Sequence, residues 1–299
     1  MREYFLELPK YNSNLTPGLL PQHNLAYCLI LFAPGNRAIE NKELLREYVS
    51  ILPWHLHGLQ TMGAFQHLDV YVLVDSALLI TVAQTLGPVG WPISRLLQFK
   101  SGTVDWWMQR LAAMRHPALK KYAGILHCDV GVLPRKHLDY DFAQTAAWDP
   151  ATQPYAFTDA PLFPAGTYRE SDMFWESVDK PENWKRFAKY IGDPNLRTNW
   201  KQNAERFPHY RIRGFHFGMS PSVLHAPEMN ELLTKLGDIY EGDEGMISLY
   251  LSKQKIKNAE CFLLPSYHLQ WMPHAKTASV YPDAEETLQA YKNHDALLR

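Results

Sequence analysis

The sequence predicts an α/β protein with a mostly parallel central sheet flanked by helices. Ala26–Ala33 is a continuous apolar run closed by Pro34-Gly35, Leu68–Val74 reads as a second buried strand, and Ile125-Leu126 with Val130 and Val132 make a further strand. Unbroken apolar runs of this length belong to strands buried on both faces. Helix-like stretches separate them. One runs roughly from Asn41 to Thr61 and is interrupted near Pro53. In another, Thr103 is placed to cap a helix through Met114, with Trp107, Leu111 and Met114 at helical spacing. The order strand, helix, strand, helix, strand is that of a parallel sheet covered on both faces.

Residues 1–24 read as an irregular lead-in with Pro9, Pro17 and Pro21. Between Ala77 and Ser94 there is no charged residue, but Gly87, Pro88, Gly90 and Pro92 break the stretch. Short strands around these Gly-Pro turns, from Val82 to Leu97, explain it better than a membrane span. Residues 143–213 are rich in Pro, Trp, Asp, Asn and Arg, and read as an insertion covering the sheet's ligand edge, with helical pieces at Pro181–Ile191 and Asn195–Phe207. Phe215–Ser222 is apolar with small residues. Ala226–Ile239 is an amphipathic helix with Met229, Leu232, Leu233 and Leu236 on one side. Gly245–Ser252 is a further helix, Glu260–Leu264 a late strand, and the remainder a polar tail.

Composition narrows the function. The 299 residues carry 30 basic and 31 acidic side chains, so no global field draws nucleic acid or an anionic membrane. Cys28, Cys128 and Cys261 are odd in number and widely spaced, which argues against a disulfide framework and a zinc site. The first residues carry acids where a secretory leader needs an apolar run. A cytoplasmic protein, free or peripheral to a membrane and without a transmembrane segment, is expected. Nine Trp and sixteen Tyr are a surplus of rings that either line a site for flat ligands or fill the core.

In an open α/β sheet ligands bind beyond the carboxyl ends of the strands, so polar residues that follow apolar runs are the ones to inspect. His127-Cys128-Asp129 lies between Tyr122-Ala-Gly-Ile-Leu126 and Val130-Gly-Val-Leu133. A carboxylate in such a setting needs a partner. A divalent cation would supply one, and residues two apart on an extended chain point to the same side. The alternative is an Asp129 that caps a turn or accepts backbone N–H groups at a strand end. Asp243 and Glu244 stand between Gly242 and Gly245 at a helix start. They either cap that helix, helped by its dipole, or present a carboxylate to a substrate.

Leu111–Leu133 resembles the donor-site strand of GT-A glycosyltransferases, especially the family 8 enzymes of the glycogenin-like and lipopolysaccharide type. Arg110-Leu111 stands where that family has Lys-Leu, and His127-Cys128-Asp129 stands where it has Asp-x-Asp. The first Asp has become His, and the second, the usual metal ligand, is kept as Asp129. Gly214-Phe-His-Phe-Gly-Met-Ser-Pro221 is similar to the stretch bordering acceptor and donor sugar, where Gly218 would allow close backbone approach. Gly242-Asp-Glu-Gly-Met-Ile-Ser248 resembles the element with a functional Asp near the reacting carbon. In Tyr267–Lys276, His268 and His274 are candidates for the family's C-terminal metal-ligating His. Ala275-Lys276 follows His274, which favours it as ligand, with Lys276 on the diphosphate.

The resemblance implies one GT-A, Rossmann-like domain over 1–299. Residues 25–142 would form the nucleotide-sugar half, 143–213 an acceptor-side insertion, and 214–299 the acceptor and catalytic half with the tail. It implies a nucleoside-diphosphate sugar donor, with UDP as the default. Mn²⁺ or Mg²⁺ would be held by His127, Asp129 and His274. Asp243, or failing that Glu244, would act at the sugar, by either a retaining or an inverting route. Ala33 and Arg37 would hold the nucleobase and ribose, and Asp75 and Arg110 would join the nucleotide site. The acceptor would be a glycan, a lipid-linked sugar or a protein. Trp175, Trp184 and Trp200 either stack on a sugar or belong to the core. Two rivals stand: a nucleotidyltransferase of sugar phosphates, of which Ala33-Pro-Gly-Asn-Arg37 is only a faint sign, and a non-catalytic nucleotide-sugar-binding module.

Overall fold

A computed structural model of the chain describes residues 24–32, 42–61, 63–100, 108–130, 132–134, 142–158, 181–198, 216–239, 243–256, 260–264 and 269–271. The fold is mixed α/β, and the chain divides into two units. The first takes Met1–Ser101, Ile125–Trp148 and Tyr267–Arg299, and the second Gly102–Gly124 and Asp149–Ser266.

In the first unit the strands are β1 (Leu25–Leu31), β2 (Asp69–Asp75), β3 (Leu96–Phe99) and β4 (Gly124–Cys128), in the order β3-β2-β1-β4. β1 and β2 run parallel with Leu31 opposite Val74, and β2 and β3 run parallel with Val74 opposite Gln98. All seven residues of β1, an unbroken apolar run, are buried, and so are all five of β4, His127 included. β3 lies at an edge of this order and is only half-buried. Arg95 fixes its start: the guanidinium donates to Asp69 Oδ1 at 3.0 Å and to the Val70 carbonyl at 3.2 Å, and lies over the Tyr71 ring. Arg95 thus ties β3 to the start of β2.

Three sequence expectations change here. Helix α1 (Lys42–Thr61) runs through Pro53 as one element, because Pro53 forfeits a single donor while Ile51, Leu52, Trp54, Leu56 and Leu59 bury around it. After α2 (Ala64–His67) and β2, the charge-free stretch opens with helix α3 (Leu79–Leu86), not a strand. Val82 and Leu86, one turn apart, are buried, Ile80 is exposed, and the Thr85 hydroxyl donates to the Thr81 carbonyl at 2.9 Å. A short apolar run does not distinguish helix from strand by periodicity alone. Gly90, at φ 76°, then turns the chain back towards β3, a conformation that favours glycine.

The third change concerns the run after residue 124. The anticipated single strand is two: β4 ends at Cys128, and β5 (Val132–Pro134) pairs antiparallel with β9 (Leu269–Trp271), inside what reads in the sequence as a polar tail. Helix α5 (Phe142–Ala146) completes the described part of this unit, with Phe142 edge-on to Tyr27.

In the second unit β6 (Tyr155–Thr158) pairs antiparallel with β7 (His216–Met219) and parallel with β8 (Cys261–Leu264). β6 falls within 143–213, where apolar runs are scarce and no strand was anticipated. Helix α4 (Gln109–Met114) is the described part of the stretch expected from Thr103; Thr103 and Trp107 lie outside the described residues. The expected helix at 181–191 is present as α6 (Pro181–Ile191). α7 (Pro221–Leu224) is a single turn, and α8 (Pro227–Leu236) buries Met229, Leu232, Leu233 and Leu236. α9 (Asp243–Gln254) contributes Met246, Ile247, Leu249, Tyr250 and Leu251. α6, α8 and α9 pack on one another. Glu231 of α8 binds Lys235 and Lys253 at 2.6 Å each, joining α8 to α9, and Arg186 of α6 pairs with Asp238. None of the three cysteines is in a disulfide. No helix among the described residues is long and apolar enough to cross a membrane.

The packing makes a simple stability contrast. Leu73, fully buried in β2, replaced by alanine should lower the unfolding free energy by about 2–5 kcal/mol. Ile80→Ser on the exposed face of α3 should change it by no more than about 0.5 kcal/mol. Urea midpoints of the two variants measure the difference.

Candidate functional site

β4 carries a buried apolar sequence up to its last two residues, and there the chemistry changes. His127 and Asp129 are two apart on extended chain and so share a side. His127 is wholly buried and the Asp129 side chain is 14% exposed, so the carboxylate is the half of the pair that reaches the surface. Their Nε2 and Oδ1 atoms lie 3.1 Å apart. Cys128, between them, is buried, and its Sγ stands 3.6 Å from the Asp129 carbonyl oxygen.

A second histidine joins this end of the strand from helix α1. His55 is fully buried, and its Nδ1 stands 3.0 Å from the Val130 carbonyl oxygen. A carbonyl only accepts, so Nδ1 carries the proton. Burial pushes the His55 pKa down to about 4, against the opposing pull of the Val130 hydrogen bond, and the nearby His127 lowers it further. His55 is thus neutral at pH 7, and it anchors the turn that ends β4. Sequence reasoning missed it. The available signal was His55 itself, a polar ring between Trp54 and Leu56 in an apolar stretch of helix.

The other expected site residues fall in separate places. Asp75, the last residue of β2 and 5% exposed, accepts from the Ala77 N–H at 3.0 Å. The adjoining Ser76 hydroxyl donates to the Phe99 carbonyl and accepts from Gln98 Nε2. Asp75 therefore shapes the turn after β2, level with the point where the chain leaves β1. Ala33 and Arg37, which follow β1, lie outside the described residues, as do His268, His274 and Lys276. Arg110, Gly218, Asp243 and Glu244 belong to the second unit. Arg110 is buried in α4, Gly218 sits in β7 opposite Ala156, and Asp243 and Glu244 open helix α9. Trp184 is 5% exposed and packs edge-on against Phe187, as a core ring does, whereas Trp175 and Trp200 lie outside the described residues.

The His127–Asp129 pair can be tested against a divalent ion. The 3.1 Å separation is that of an Nε2–H···Oδ1 hydrogen bond, and two ligands at about 2.1 Å in neighbouring octahedral positions would stand at a similar distance, about 3.0 Å. An imidazole nitrogen and a carboxylate oxygen suit Mn²⁺. Among the described residues no third His, Cys, Asp or Glu completes a cluster with them. The pair has the donor types of one edge of a metal site and is closed by its own hydrogen bond.

No family model matches this chain, and no curated protein matches it. Solved structures do resemble it. The apo structure of the bifunctional glycosyltransferase WbbM aligns over 95% of this chain and 46% of its own, at 9% identity and a TM-score of 0.48. This chain spans under half the length of WbbM. The mannosyltransferase Ktr4p from S. cerevisiae aligns over 84% and 73%, at 13% identity and 0.41. The galactosyltransferase LgtC, in complex with donor and acceptor sugar analogues, aligns over 81% and 73%, at 9% identity and 0.39.

The His55 environment has a pH signature. Below its ordinary value of 6.5 the unfolded chain takes up a proton that the folded chain refuses until about pH 4. The stability contributed by neutral His55 is full above the unfolded value and is lost as pH falls through this window, by on the order of 3 kcal/mol. His55→Gln, which can still donate to Val130, should flatten that loss. Urea midpoints at pH 7 and pH 4.5 check this, and equal losses in the two proteins would contradict it.

Proposed function

We propose that this chain is a GT-A glycosyltransferase that moves a sugar from a nucleoside-diphosphate donor, UDP-linked by preference, to a hydroxyl of a glycan, lipid-linked or protein acceptor. The observation that carries the reading is the His127–Asp129 pair at the end of a fully buried strand. A carboxylate held there by a buried imidazole is placed to bind a cation. Asp129 would be the ligand nearer the surface; His127 holds the Asp129 carboxylate through Nε2 in the absence of an ion and would become a second ligand on giving up that proton, with His274 the third. When bound, a divalent ion neutralises the diphosphate and stabilises it as a leaving group.

The protein's own groups supply the rest. Lys276 adds positive charge at the diphosphate, and Ala33, Arg37 and Asp75 border the nucleoside. Arg110 brings a further cation to the donor, and Gly218 leaves room for a sugar against the backbone. Asp243 contacts the donor sugar or takes the acceptor proton, with Glu244 beside it at the start of α9.

Calorimetric titration of UDP tests the donor site. Wild type in Mn²⁺ should bind, and either a chelator or Asp129→Ala should weaken binding by at least about tenfold. Failure of UDP and other nucleotides to bind under every condition would sink the donor-site reading. Equal binding with chelator and in the variant would remove the metal assignment alone. Asp243→Asn should keep UDP affinity within about threefold and lower kcat by about 100-fold, read as donor hydrolysis or transfer over a panel of nucleotide sugars. Binding of a nucleotide sugar that is never cleaved, whatever the acceptor, would mark a binding module.

A further inference from the structure

Two histidines from separate elements bracket Asp129. His127 Nε2 donates to its Oδ1 at 3.1 Å, and His55 Nδ1 donates to the carbonyl of the next residue, Val130, at 3.0 Å. One contact holds the side chain, and the other holds the backbone of the turn. Both rings are wholly buried, and all four residues belong to the first unit. Helix α1, which carries His55, also packs on β5, the strand that leaves this turn.

Packing alone does not call for an imidazole at position 55. Its neighbours along α1, Ile51, Leu52, Trp54, Leu56 and Leu59, are all buried and apolar. An aliphatic side chain would be less costly there, because a buried polar ring must lose its water and be given a partner. Departures from the least costly core are expected where a functional site has to be held. The direction of the Asp129 side chain depends on its own backbone angles, and these depend on where Val130 is fixed. Without the His55 donor, the buried Val130 carbonyl loses that bond and the turn gains by shifting to replace it. A ligand-holding group displaced by about 1 Å loses much of its grip.

We infer that His55 is a positioning residue of the donor site: through the Val130 carbonyl it fixes the turn that aims the Asp129 carboxylate at the cation and the diphosphate. The inference rests on the donor-site reading and adds to it a residue that touches neither ligand.

The experiment measures positioning and binding separately on the full chain. His55→Leu removes the donor, and His55→Asn keeps an amide nitrogen where Nδ1 stands. Leu59→Ala, one turn further along α1 and fully buried, opens the core without touching the turn. Solvent exchange of the His127 Nε2 proton is followed in ¹⁵N–¹H spectra without ligand, and UDP affinity in Mn²⁺ is measured by calorimetry. His55→Leu should speed the exchange and weaken UDP binding by at least about tenfold each, as loss of an outer hydrogen bond does at metal sites. His55→Asn and Leu59→Ala should each stay within about threefold of wild type in both measurements, the latter in spite of a lower urea midpoint. Where His55→Leu fails to fold, His55→Met, whose unbranched chain adapts to the space, takes its place with the same expectation. Unchanged exchange or unchanged affinity on loss of the donor, no rescue by His55→Asn, or an equal loss in Leu59→Ala would each overturn the inference. Absence of UDP binding in wild type would sink the donor-site reading and the inference with it, whereas full wild-type binding that His55→Leu retains would sink the inference alone.

Discussion

The burial of an imidazole against a carboxylate at the end of β4 constrains the first unit more than any other interaction. An apolar strand is easily accommodated in a parallel sheet, but His127 and Asp129 at its end must be satisfied where water is largely excluded. The chain meets this in two ways. The ring and the carboxylate satisfy one another at 3.1 Å, and His55 from α1 donates to the carbonyl of the next residue, Val130. The second contact holds the chain in a turn, so β4 stops and β5 leaves to pair with β9. The length of α1 follows from the same need, since His55 stands beyond Pro53 and is delivered only because the helix runs through the proline.

The second unit is organised differently. α6, α8 and α9 are held by side-chain burial, with ion pairs at their borders rather than in their core. Exposed pairs of this kind contribute little each, so Met229, Leu232, Leu236, Ile247 and Phe187 carry the packing. α6 shows the division plainly: Trp184, Phe187 and Tyr190 pack, Arg186 pairs with Asp238, and Lys185 and Lys189 are exposed.

How far the sequence could be read depended on where the deciding information lay. β1, β2 and β4 were legible because strands buried on both faces have no polar alternation, and α8 was legible because Met229, Leu232, Leu233 and Leu236 repeat at helical spacing. The His127–Asp129 pair was legible from the two-residue period of extended chain. α3 was misread because a charge-free run with Gly and Pro nearby fits strand or helix equally, and only the burial of Val82 and Leu86 decides. β6 was missed because four residues among polar neighbours become a strand through partners far along the chain, β7 and β8. His55 was missed for the same reason: its acceptor is 75 residues away, and no local pattern encodes that meeting.

The pairing of β5 with β9 also sets an order of events during synthesis. Val132–Pro134 leaves the ribosome long before Leu269–Trp271, and nearly all of the second unit is made in between. Until β9 arrives, β5 has an unpaired edge, the kind of surface that invites association with other chains. The second unit, by contrast, has β6, β7 and β8 in hand before β9 is translated. The nascent chain thus completes its later unit first and closes its earlier one last, so vulnerability to misassembly is concentrated at β5.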